Sequence, residues 1–128
     1  MVKIFLDTNI IIDYLRTKKG LLFELLELQK LQRIKIYCSS ITVVEIFAER
    51  SSVLQEDIIR NIFSVVQIIA VDHELGKKVG ETKREMNNEV TLGDVIIGVS
   101  AVTLNAQLAT NNQKHFAKIP DLKFFRPV

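Results

Sequence analysis

A chain of 128 residues is long enough to bury one core and too short for two ordinary domains, so a single domain over residues 1–128 is expected. Hydrophobic residues make up 48% and charged residues 25%, with only 5 Gly and 2 Pro, which excludes disordered and low-complexity classes. A net charge of +2 is too mild to mark a nucleic-acid binder by composition, and the single cysteine, Cys38, excludes an intrachain disulfide and suits a reducing, cytoplasmic setting.

The predicted elements begin with a short strand over Lys3–Leu6, closed by Asp7. Asp7, Asn9 and Asp13 interrupt a stretch that a signal peptide would keep apolar. A helix over Ile10–Arg16 follows, then one over Leu21–Gln32, on which Leu21, Leu22, Leu25, Leu26 and Leu28 share a face while Phe23 and Leu31 project elsewhere. A strand over Ile34–Cys38 leads to helices over Thr42–Glu49 and Glu56–Phe63, a strand over Val66–Val71 and a helix over His73–Asn87. The next helix, Leu92–Leu104, contains the longest weakly polar stretch, Val95–Leu104, which is half of the roughly 20 residues a membrane span needs, so no membrane partner is expected. Strands over Gln107–Thr110 and Lys123–Phe125 complete the chain. Strands alternating with helices of these lengths imply an α/β, three-layer fold, a mostly parallel central sheet of four to five strands flanked by helices. The mean hydropathy of +0.19 is high for a small monomer. Surplus apolar residues on Leu21–Leu31 and Ile58–Phe63 suit an oligomer interface or a groove for a partner helix.

In an open parallel sheet the ligand crevice lies outside the carboxyl ends of the strands, which is where Asp7 stands. Glu45, Asp94 and the Asn111-Asn112 pair follow later strands or open later helices, and can converge on the same edge. Each has a structural reading beside the chemical one. Asp7 can cap the following helix. Thr42-x-x-Glu45 and Thr91-x-x-Asp94 fit capping patterns that would put both acids in first helical turns, where the helix dipole favours them. Asn pairs mark turns. Gly98 and Ala101, four and seven residues beyond Asp94, are small enough to let that helix approach the sheet and draw Asp94 toward the first strand. Three carboxylates in one crevice repel, at about 3 kcal/mol for two charges ~5 Å apart in a medium of dielectric near 20. A divalent cation removes that penalty, and Mg²⁺, which takes hard oxygen ligands and keeps several waters, is the natural choice. His73, His115 and Cys38 lie at no zinc spacing, and each His is expected at the surface.

The segments Phe5-Leu6-Asp7-Thr8-Asn9-Ile10-Ile11-Ile12-Asp13, Ser40-x-Thr42-x-x-Glu45, Leu92-x-Asp94-x-x-Ile97 and Leu108-Ala109-Thr110-x-Asn112-x-x-His115-Phe116, in this order and spacing, resemble the PIN domain and, within it, the VapC-type toxins of toxin–antitoxin modules. Each motif is weak alone; the ordered set is specific and covers nearly the whole chain. The resemblance implies a PIN-like fold and an endoribonuclease dependent on Mg²⁺ or Mn²⁺. It implies Asp7, Glu45 and Asp94 as metal-binding, catalytic carboxylates, with Asn112 at the fourth catalytic position. Thr8 or Asn9, and Thr110, would orient metal-bound water or phosphate. The implied partners are an RNA substrate, a cognate antitoxin and a second copy of the chain. Many family members carry an acid where this chain has Asn112, which puts a two-metal site in doubt, and Gly98 stands where the family usually shows a larger small residue. Two other readings stay open: a catalytically silent PIN-like module that binds RNA or protein and keeps its acids as caps, and a receiver-like domain. Against the receiver, the first strand is not followed by adjacent acids and no Lys follows a late strand at the expected place.

Overall fold

Alternation along the first strand sets the layers. In the computed structural model, which describes residues 1–86 and 89–127, β1 (Val2–Leu6) sends Ile4 and Leu6 to one face and Phe5 to the other, all fully buried. β2 (Ile34–Ser39) repeats the pattern, with Ile34, Ile36 and Cys38 beside Ile4 and Leu6, and Tyr37 beside Phe5. Strands buried on both faces need helices on both. One layer comes from α1 (Thr8–Thr17), α2 (Leu21–Lys30), α3 (Ser40–Ala48) and α4 (Glu56–Val65), which place Ile10, Ile11, Leu22, Leu25, Ile46 and Ile59 against the first face. The other comes from α5 (His73–Arg84), α6 (Leu92–Leu104) and the short α7 (Gln113–Phe116), through Leu75, Val79, Val95, Ile97 and Phe116. Burial in the first core pushes the Cys38 thiol up to about 12, so it is an inert apolar filler.

The sheet is completed by β3 (Gln67–Ile69), β4 (Gln107–Ala109) and β5 (Lys123–Phe124) and is parallel throughout, in the order β3-β2-β1-β4-β5. The expected α/β, three-layer class is therefore observed, with all five strands present. The two edge strands are shorter than their sequence patterns. β3 pairs only over Tyr37–Ser39 of β2, leaving Ala70 and Val71 outside the ladder, and β5 pairs over two residues of β4. The α2 helix stops at Lys30 because Gln32 turns left-handed. The α1 helix begins at Thr8, two residues earlier than expected, and α5 ends at Arg84; Asn87, the predicted end of α5, lies outside the described residues. Among the described residues no helix is long and apolar enough to cross a membrane.

Gly98 has a different role from the one its spacing implied. A Cβ there would collide with Ile119 Cδ1, so what the bare Gly98 admits is the loop before β5, while α6 also packs on β1. Ile119 is itself buried and has little room to turn. Gly98→Ala gains about 1 kcal/mol of helix propensity and loses more through overpacking, which typically costs about 1–3 kcal/mol. We expect net destabilisation in denaturant melts, and recovery when Ile119→Val removes the colliding methyl; additive effects of the two changes would show that the contact is harmless.

Candidate active site

β1 lies between β2 and β4, and the chain moves outward from β1 to β2 and β3 before crossing to β4 on the opposite side. That reversal opens a crevice at the carboxyl ends of β1 and β4. Asp7, the first residue after β1, stands in it. Its amide donates to the Ala109 carbonyl at 3.0 Å, which extends the β1–β4 pairing by one residue and holds the side chain against the end of β4. Thr110 Oγ1 then donates to Asp7 Oδ2 at 2.8 Å and accepts from the Asn112 amide at 3.0 Å. One hydroxyl thus fixes both the first acid and the loop that carries Asn112. The same loop is tied to α1, where Asn111 Nδ2 donates to Asp13 Oδ2 at 2.8 Å.

Asp7 is 4% exposed. Burial is the largest influence on its carboxyl and pushes its pKa above the ordinary 3.8; the Thr110 hydrogen bond pulls it down, the charge of Asp94 pushes it up, the Asn9 amide lowers it and the charge of Glu45 raises it. The Asn9 amide faces the carboxylate without making a cap hydrogen bond of normal geometry, so Asp7 opens α1 but does not cap it with its side chain. Asn9's own side chain lies at an exposed position.

Glu45 is not a capping residue. Ser39 caps α3 by accepting from the Ile41 amide at 3.1 Å, so the helix starts at Ser40, Thr42 lies in its first turn, and Glu45 falls in the second. The expected Thr42–Glu45 capping box is absent because an earlier serine has taken the cap. Glu45 instead accepts at Oε1 from Thr8 Oγ1, 2.7 Å away, and Thr8 and Thr42 hydroxyls lie 2.8 Å apart. The proton of Thr8 is therefore directed to Glu45. Asp94 keeps half of its capping pattern: its amide donates to Thr91 Oγ1 at 3.1 Å. Its carboxylate does not reach back, and lies 3.8 Å from His115 Nδ1, an imidazole 62% exposed at the rim. Asn112 opens α7 without a side-chain cap.

The fold thus gathers Asp7, Thr8, Glu45, Asp94, Thr110 and Asn112 at one sheet edge, and leaves Asn9 contributing only its backbone. Thr42 and His115 join them, although the sequence reading gave neither a role beyond cap and surface residue. The signal for Thr42 was the Ser39-Ser40 pair ahead of it, which offers an earlier cap. Among the described residues no three carboxylate, imidazole or thiolate groups stand close enough to enclose one ion. The donors present are hard oxygens from separate elements, with Asp7 sensing both other acids. Such a set fits a small divalent cation that retains several waters and takes only one or two direct carboxylates, and does not fit a closed zinc cage.

A PIN domain model matches residues 4–122. The chain belongs to the PIN domain family. This PIN domain is 27% identical over 122 residues, 93% of its length and 82% of the relative's, to Ribonuclease VapC1 of Methanocaldococcus jannaschii. Its fold is similar to that in VapBC2 from Rickettsia felis bound to a promoter DNA fragment (24% identity, TM-score 0.78, 97% and 98% of the two chains). It is likewise similar to DNA-bound VapBC from Salmonella typhimurium (23% identity, TM-score 0.81, 98% of both chains).

The raised pKa of Asp7 has a measurable consequence. Because the folded-state value lies above the unfolded one, the native state binds more protons between them, and stability is lost as pH rises from about 3.8 through the folded value. In chelator, Asp7→Asn should be more stable than the wild type at pH 7, with the advantage vanishing below pH 3.8. Denaturant midpoints at the two pH values measure this; equal midpoints at pH 7 would mean that the buried carboxylate carries no penalty.

Proposed function

We propose that this PIN domain chain, a single domain over residues 1–128, is a Mg²⁺- or Mn²⁺-dependent endoribonuclease of VapC type that hydrolyses RNA phosphodiesters and is neutralised by a cognate antitoxin. The observation that carries the reading is the junction at the β1–β4 crevice: Asp7 is held by Thr110, Glu45 is held by Thr8, the residue after Asp7, and Glu45 Oε2 lies against Gly93, the residue before Asp94. The name of the relative Ribonuclease VapC1 supports the activity.

Asp7, Asp94 and Glu45 would hold the cation between them, one or two directly and the rest through its retained waters. When bound, it would supply Lewis-acid polarisation of the phosphodiester and a lowered pKa for water. The protein's own contribution is positional and electrostatic. Three carboxylates repel a phosphodiester as they repel one another, so charge compensation is required before RNA can enter. Thr110 keeps Asp7 oriented through its 2.8 Å hydrogen bond. The side-chain amide of Asn112, on the loop fastened by Thr110 and Asn111, would offer a neutral donor to a phosphate oxygen, adding contact without adding repulsion. Asp94, with 21% of its side chain exposed, would meet the solvent side of the scissile group.

The test is cleavage of structured RNA by identically purified wild-type and Asp94→Asn proteins, in Mg²⁺, Mn²⁺, Ca²⁺ and chelator. Cleavage by the wild type in Mg²⁺ or Mn²⁺, none in chelator or Ca²⁺, and loss of at least ~100-fold in Asp94→Asn with the fold retained are expected. RNA binding without cleavage would assign the chain to the silent PIN-like modules, and full activity in chelator would remove the metal mechanism.

The antitoxin has an argued place. Tyr14, Phe23, Leu26, Ile58 and Val65 line a concavity of about 410 Å³ between α1, α2 and α4, with Lys18, Glu27 and Lys30 at its margin. Phe23 and Val65 are about half exposed, whereas Ile62, expected with Phe23 at this surface, is 4% exposed and lines the concavity from within the core. A concave apolar groove fits an amphipathic helix. A second copy of the chain would need a self-complementary surface, which a groove alone does not provide, so we assign the groove to the antitoxin. Phe23→Glu should abolish capture of the antitoxin encoded beside this gene and leave the sedimentation coefficient unchanged. A shift from dimer to monomer in sedimentation would reassign the groove to the second copy.

A further inference from the structure

Two buried hydroxyls stand behind Glu45. Thr8 opens α1 and Thr42 lies in the first turn of α3, 34 positions away, and their oxygens are 2.8 Å apart. Thr42 is wholly buried and Thr8 nearly so. Each hydroxyl has one proton. An ionised Glu45 can only accept, so the proton in the 2.7 Å contact belongs to Thr8. The one proton left for the Thr8–Thr42 contact is that of Thr42. The chain of donation therefore runs from Thr42 to Thr8 to Glu45 Oε1, and its direction is forced by counting.

Several other helical hydroxyls donate to their own main chain, as Thr17 does to Asp13, Thr82 to Lys78 and Ser100 to Ile96. Thr42 has no full helical turn before it, and its proton goes across to another helix instead. A donor that is itself an acceptor is polarised and bonds more strongly, most of all out of water. The other oxygen of Glu45, Oε2, lies 3.4 Å from where a Cβ on Gly93 would stand, against the turn that carries Asp94. Glu45 is an exposed helical residue whose side chain would otherwise sample several rotamers; the buried pair on one side and the bare glycine on the other leave it one direction, toward α6 and the crevice.

The geometry points to Thr42 as a positioning residue for Glu45, acting through Thr8 to fix the carboxylate in the divalent-cation site. This rests on the reading of Asp7, Glu45 and Asp94 as that site. Thr42 touches neither RNA nor cation, so its effect must pass through Thr8. Removing a group that holds a metal-binding side chain by a hydrogen bond weakens metal affinity or activity by about 10-fold or more.

The experiment uses the full chain and measures Mn²⁺ affinity by calorimetry beside RNA cleavage. Thr42→Val, nearly the same shape without the proton, should weaken Mn²⁺ binding about 10-fold and lower kcat with the KM for RNA unchanged. Thr42→Ser, which keeps the donor, should restore both. In a Thr8→Val background, Thr42→Val should have no further effect on Mn²⁺ affinity, because the chain is already cut. Wild-type affinity in Thr42→Val, or an equal loss in both backgrounds, would overturn the proposal by leaving Thr42 a packing residue. If Thr42→Val does not fold, Thr42→Ala takes its place in the same comparisons. Should wild-type protein bind no Mn²⁺, the cation site itself fails, and the hydroxyl chain is judged separately by metal-free denaturation: the Thr42→Val and Glu45→Ala effects must be non-additive, and additive once Thr8 is Val. Additivity in both backgrounds would refute the chain.

Discussion

Everything at the site depends on the hydrogen bond from the Asp7 amide to the Ala109 carbonyl. It is an ordinary ladder bond carried one residue past the strand, and it joins the first strand of the chain to the fourth, the two between which the sheet reverses direction. Because all strands are parallel, the loops after β1, β2 and β4 leave from the same edge. A single backbone bond therefore converts a separation of about a hundred residues along the chain into side chains within hydrogen-bond reach, and Thr110 uses that reach at once.

Holding acids there opposes folding. A carboxylate nine-tenths and more buried beside two others is favoured only when protonated or compensated, and the hydrogen bond from Thr110 and the field of the Asn9 amide offset part of that. The surrounding fold is correspondingly conventional: two apolar layers with no buried side-chain polar atom lacking a partner among the described residues. The stability that the crevice gives up comes back from cores on both sides of the sheet.

Much of this was readable in the sequence, for reasons that also explain the failures. The central strands were legible because burial on two faces writes continuous apolar runs, and Asp7 stood out because it ends one. The edge strands were misjudged because their length is set by how far a neighbour extends, which Val66–Val71 cannot encode alone. The start of α3 was misplaced because Ser39 and Thr42 are equally able caps, and the choice between them is made by Thr8, distant in sequence. Gly98 showed that something comes close to α6, but the partner, Ile119, lies in a loop with no periodic signal. His115 was expected at the surface and is there, yet it faces Asp94, a relation that only the docking of α7 onto α6 creates.

The α1 helix acts as a ruler. Thr8 at its start belongs to the crevice, and Tyr14 and Lys18, six and ten positions on, line the apolar groove. At 1.5 Å of rise per residue the two places are separated by about 9–15 Å along the axis. An extended segment covers that span with about three to five residues. Any chain seated in the groove by a helix thus needs only a short tail to deliver a side chain into the acidic crevice, and a tail shorter than that leaves the crevice open however tightly the helix is held.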